Sequence, residues 1–209
     1  MAATLVIATA CGWNQGAATE PPPLPISMDS GAAPAAARTG PSLPGVSGGA
    51  SASRSAKSVL IGVGLIDYLL LSLGQDTSAR AAGIDVAAEL RAMDGGSAVA
   101  AKFDSLSANG VTSLPSSAIV EAIEQVVDWR RFRAAGWAEL ARLFATDRFE
   151  LGFRWTQLRG AIEDTWNTRE LTAESRSLAD NLLTSIATGP RNFAAIEKAS
   201  LELLAALAR

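Results

Sequence analysis

Apolar residues recur along most of this chain at intervals of three and four, and no segment alternates as a half-buried strand does. The densest block, Ser58 to Gly74, is nearly all Val, Leu, Ile and Gly, with Asp67 in its middle. It falls short of the roughly 20 residues that cross a bilayer and carries a charge mid-run, which predicts a buried core helix. Ile84 to Met93 predicts a short amphipathic helix, stopped by Asp94-Gly95-Gly96. Asn109-Gly110 and Leu114-Pro115 form a second breaker, after which Ser116 or Ser117 offers an N-cap with Glu121 in the first turn. Ile119, Ile123, Val126, Trp129, Phe132, Gly136, Leu140 and Leu143 then line one face of a long helix, with Gly136 the candidate bend. Further helices are expected from near Phe149 to Trp166 and from Thr172 to Ile186, the latter with Leu178, Leu182 and Ile186 on one face. Gly189-Pro190 separates it from a last helix that buries Phe193, Ile196, Leu203 and Leu207.

The pattern stops short of the amino terminus. Residues 1–57 hold seven of the nine prolines with many Gly, Ala and Ser, and beyond Leu5 to Ile7 they show no apolar periodicity. Two units follow: a flexible arm or tether over 1–57 and an α-helical domain over 58–209. The fold class is all-α, a bundle of about five to seven helices preceded by the disordered Pro/Gly/Ala/Ser-rich arm.

Composition narrows the chemistry. The 209 residues contain no histidine and one cysteine, Cys11. Without imidazole there is no Ser/His/Asp or Cys/His nucleophile system and no histidine-based zinc or haem site. One cysteine excludes an internal disulfide. Carboxylate pairs occur at Glu121 and Glu124 and at Glu163-Asp164, but di-metal bundles draw on Glu-x-x-His motifs, so exposed helix surface is the expected role. No phosphate-binding glycine loop is present, since Gly62-Val63-Gly64 lies inside an apolar helix. No catalytic residue, metal or cofactor is assigned.

The net charge of -3 hides a division. Ser58 to Asp128 carries nine acids and three bases, whereas Trp129 to Arg169 carries eight arginines and five acids. Four of the five tryptophans fall in that basic window. Arginine and tryptophan are the residues most enriched where surfaces bind, and aromatics among arginines also stack on unpaired bases. Trp129, Arg130, Arg131, Arg133, Trp137, Arg142, Arg148, Arg154, Trp155 and Arg159 are therefore the candidate interaction surface. Asp67, if buried, needs a partner such as an arginine from this window, or must be uncharged.

Three local resemblances bear on function. Phe144-Ala-Thr-Asp-Arg148-Phe149-Glu150-Leu-Gly-Phe153-Arg-Trp155 resembles a segment near the carboxyl end of rod-shaped plant-virus coat proteins. That resemblance implies a helical subunit stacking with its copies around single-stranded RNA held by arginines, in a virion or cytoplasm. Gly136-Trp137-Ala-Glu-Leu140-Ala-Arg-Leu143-Phe144 is similar to the Gly-Trp segments of Bcl-2-like apoptosis regulators, and Leu90 to Gly95 to their groove-binding helix. This implies a groove for a partner helix. Leu5 to Gly12 resembles the end of a bacterial lipoprotein signal, although no Lys or Arg precedes the apolar run. A lipidated Cys11 would tether the domain to a membrane in the cell envelope. The leading expectation is a non-catalytic, self-associating structural subunit, coat- or scaffold-like, with an Arg/Trp contact surface. A membrane-tethered interaction domain and an RNA-binding coat protein are the alternatives.

Overall fold

A computed structural model of the chain describes residues 35–41, 43, 46, 48–49, 51–106, 113–147, 159–160, 172–188 and 192–209. Among these residues there are seven α-helices and no strand, the all-α bundle that the spacing predicts. They are α1 (Arg54–Leu73), α2 (Ala79–Arg91), α3 (Ser97–Asp104), α4 (Ser117–Val126), α5 (Trp129–Thr146), α6 (Ala173–Ala187) and α7 (Phe193–Ala208). A 3-10 turn, Ala35–Arg38, precedes them.

The apolar block becomes α1, and the other helices assemble around it. Val59, Ile61, Leu65, Ile66, Tyr68, Leu69 and Leu71 are each at most 1% exposed. α1 packs against α2, α5, α7 and the amino-terminal 3-10 turn. With 20 residues and a mean hydropathy of 1.7 in its best window, it is long and apolar enough to cross a membrane. In the bundle, however, 78% of that window is buried against protein, which accounts for its apolar character without a bilayer. The helix starts at Arg54, four residues before the apolar run, because Ser53 caps it by accepting a hydrogen bond from the Ala56 N–H at 3.1 Å.

Two glycines set how closely helices approach. A Cβ on Gly62 would lie 2.3 Å from the Phe132 carbonyl oxygen, so the α1 and α5 backbones meet where no side chain fits. A Cβ on Gly83 would lie 3.0 Å from the Tyr68 ring, which also tilts against Phe103 with centroids 5.0 Å apart. Tyr68 reaches the Ser113 carbonyl with its hydroxyl at 2.7 Å, satisfying the polar end of a buried ring.

Three boundaries differ from the sequence reading. The long helix expected over Ile119 to Leu143 is two, and the break falls at Val127-Asp128, while Gly136 sits buried inside α5. Asp128 is the reason: its carboxylate accepts from the Arg131 N–H at 3.3 Å as the N-cap of α5, and its own N–H donates to Ser58 Oγ at 2.9 Å. α3, too short to show a period, was not expected. Packing also begins before Ser58, since Ala37 and Leu43 are 3% and 8% exposed against the core. The helix expected from Phe149 to Trp166 lies outside the described residues except at 159–160.

Candidate functional site

α5 reads Trp-Arg-Arg-Phe-Arg-Ala-Ala-Gly-Trp-Ala-Glu-Leu-Ala-Arg-Leu-Phe-Ala-Thr, and it is packed on α1, α4 and α7. So many neighbours leave little open surface, and most of its charged residues are turned toward other helices. Arg133, 7% exposed, forms a two-pronged pair with Glu124 of α4 at 2.5 and 2.7 Å. Arg131 lies 3.3 Å from the Asp128 carboxylate and donates to the Leu207 carbonyl in the last turn of α7, where the helix dipole favours a cation.

Half-buried Trp129 opens the helix. Its ring carries the Arg130 guanidinium 4.3 Å from the centroid and that of Arg133 at 5.2 Å, within the range of a cation–π contact. Trp137, two turns on, is half-buried against the core.

The second constellation is fully internal. Glu139 and Arg142, one turn apart on α5, are 0% and 5% exposed and bind each other through two bonds at 2.7 and 2.5 Å. Asp67 of α1, 4% exposed, meets them from the opposite helix, close enough for its charge to act on both Glu139 and Arg142. Burial, reinforced by the Glu139 charge and partly opposed by Arg142, holds Asp67 well above its ordinary value of 3.8. Burial also raises Glu139, and the Arg142 bond and charge oppose that rise. Asp67 Oδ1 is buried with no hydrogen-bond partner among the described residues.

These placements revise the Arg/Trp surface. Arg133 and Arg142 do not face solvent; each is withdrawn into the bundle by a carboxylate that would otherwise be buried unpaired. Trp129, Arg130, Arg131 and Arg133 gather at the α4–α5 corner, while Arg142 lies apart beside Asp67. Arg159 is exposed, and Arg148, Arg154, Trp155 and Cys11 lie outside the described residues. The acidic and basic blocks of the sequence answer one another within one molecule, Glu124 to Arg133 and Asp128 to Arg131, while Asp67 acts on an Arg142 already paired with Glu139 of its own helix. Sequence reasoning passed over Glu139, although it falls at the apolar spacing between Phe132 and Leu143, where a charge signals a buried partner.

Elsewhere, a cleft of about 200 Å³ lies between Arg54, Lys57, Ala92, Met93, Asp94 and Val126. Its cations serve helix ends: Lys57 Nζ donates to the Ala92 carbonyl at 2.8 Å and Arg54 to that of Val126 at 3.2 Å. Among the described residues no three His, Cys, Asp or Glu side chains gather as metal ligands. No family model matches the chain, and no curated protein or solved structure matches it.

Proposed function

We propose that this chain is a non-catalytic helical subunit that associates with copies of itself through the Trp129–Arg130 corner at the start of α5. The observation that supports it is the tryptophan itself: half-buried, at a helix junction, with a guanidinium lying over its ring. A large flat side chain beside an arginine is the pairing most often found to dominate the energy of protein contacts. Association of oppositely charged blocks head to tail loses support, because Glu124, Asp128, Arg131 and Arg133 are already paired within the molecule. RNA as the partner would rest largely on Arg148, Arg154 and Trp155, and a membrane tether on Cys11.

Light scattering of the full chain, with Arg130→Glu and Trp129→Ala beside it, tests the assignment. The unsubstituted chain is expected to be oligomeric and both variants monomeric while retaining helical circular dichroism. An oligomer unaffected by either substitution would move the contact elsewhere, and a monomer in low salt at high concentration would overturn the proposal.

A further inference from the structure

α2 has two faces, and the bundle uses one of them. Its buried residues, Ala79, Gly83, Val86, Ala87 and Leu90, pack the helix on α1 and α3. On the other side Arg80, Ala81, Ile84, Asp85 and Ala88 are all exposed. Ile84, at 52%, is the more exposed of the two large hydrophobic side chains that reach solvent among the described residues. A single exposed isoleucine is ordinary on a protein surface. This one sits in a seam flanked by opposite charges at a defined spacing.

Ala81, Ile84 and Ala88 are separated by three and four residues, the interval of the a and d positions along which two helices pack side by side. With Ala81 and Ala88 at a and Ile84 at d, Arg80 falls at g and Asp85 at the following e, on opposite flanks of the seam. When two such helices run parallel, the g residue of each faces the e residue five places further along the other. Two parallel copies of α2 therefore bring Arg80 to Asp85 twice, once on each side of the twofold axis, with the Ile84 side chains between them. Antiparallel copies would set Arg80 against Arg80 and Asp85 against Asp85, which like-charge repulsion disfavours. Neither Arg80 nor Asp85 has an ion-pair partner among the described residues, whereas Arg91, further along the helix, is paired with Asp104.

We propose that this face of α2 is a second self-contact, a parallel twofold pairing with α2 of another copy. It rests on the Trp129 corner as the first contact. A helix of 13 residues spans fewer than two heptads and offers far less than the roughly 800 Å² per partner of a stable complex, so single chains do not pair through it. Two chains joined corner to corner carry two such faces, and a second pair that meets both engages the second at a raised effective concentration. α2 packs on α1 and α3 while the corner lies at the junction of α4 and α5, so one chain can use both contacts at once. The corner makes pairs, and α2 links pairs into larger assemblies.

Charge exchange across the seam tests this in sedimentation velocity of the full chain at about 50 mM salt. The unsubstituted chain should form species heavier than a pair. Asp85→Arg sets two arginines against each other on both flanks, and Arg80→Glu sets two carboxylates, so each variant alone should stop at the pair. Mixed in equal amounts, the two variants meet with opposite charges on both flanks and the heavier species should return. Both substituted positions are exposed, and Ile84→Ser, which removes the apolar centre of the seam, should also stop at the pair. An unsubstituted chain that never exceeds a pair would overturn the α2 contact and leave the corner standing. So would Asp85→Arg with an unchanged distribution, or a mixture that stays at the pair. Arg130→Glu separates the two readings: single chains are expected, and heavier species that persist in it but not in Asp85→Arg would overturn the corner while supporting α2.

Discussion

Replacing Arg142 by Met isolates what the buried cluster contributes. The substitution retains much of the side-chain volume but deletes the guanidinium that makes two bonds to Glu139, a group 0% exposed. Glu139 is then left with a choice. Remaining charged and unpaired costs about 3–5 kcal/mol, as breaking one half of a buried pair generally does. Taking up a proton at pH 7 costs about 3 kcal/mol, because each pH unit above its ordinary value of 4.5 costs about 1.4 kcal/mol. Protonation is the cheaper course, so the expected loss is about 3 kcal/mol at pH 7 and about 1 kcal/mol at pH 5. The sign is that of a carboxyl whose folded-state pKa is raised: stability is present below 4.5 and is lost as pH rises through the folded-state value. Urea unfolding of the unsubstituted and variant chains at the two pH values measures the difference. A loss of the same size at both, or one below about 1 kcal/mol at pH 7, would refute the buried pairing. The double variant Glu139→Gln, Arg142→Met should recover most of the stability, since no uncompensated charge remains.

Other substitutions probe how the helices are joined. Ser58, fully buried, accepts from the Asp128 N–H at 2.9 Å and donates to the Arg54 carbonyl at 2.8 Å, so Ser58→Ala should cost about 1–2 kcal/mol in urea unfolding. Gly62→Ala places a methyl 2.3 Å from the Phe132 carbonyl oxygen and should cost about 2–3 kcal/mol by thermal unfolding, overriding its gain in helix propensity. Tyr68→Phe removes the bond to the Ser113 carbonyl and should cost about 1 kcal/mol.

How far the sequence discloses this structure depends on the kind of signal involved. Helical spacing identifies α1, α2, α6 and α7 because each buries a face whose period survives in single-letter form. The α4–α5 break is hidden because the apolar period continues through it from Val126 to Trp129, and the stop is a cap carboxylate with its bond to a serine 70 residues away. α3 is too short to show periodicity, and its buried Val99, Ala100 and Phe103 make a weak stripe. Asp67 is visible as an anomaly in an apolar run, and its need for a partner or a proton follows from electrostatics alone. That its neighbours are Glu139 and Arg142 depends on the α1–α5 crossing at Gly62, which no local pattern contains. For the same reason the arginines read as one face: spacing cannot distinguish an arginine in water from one drawn inward by Glu124 or Glu139.

The proposed self-association is most directly tested by sedimentation velocity of the full chain over a range of protein concentrations. At about 50 mM salt, where charged contacts are weakly screened, it predicts species heavier than the 21.6 kDa chain that grow with concentration and disappear in Arg130→Glu. A single 21.6 kDa species at every concentration would contradict it.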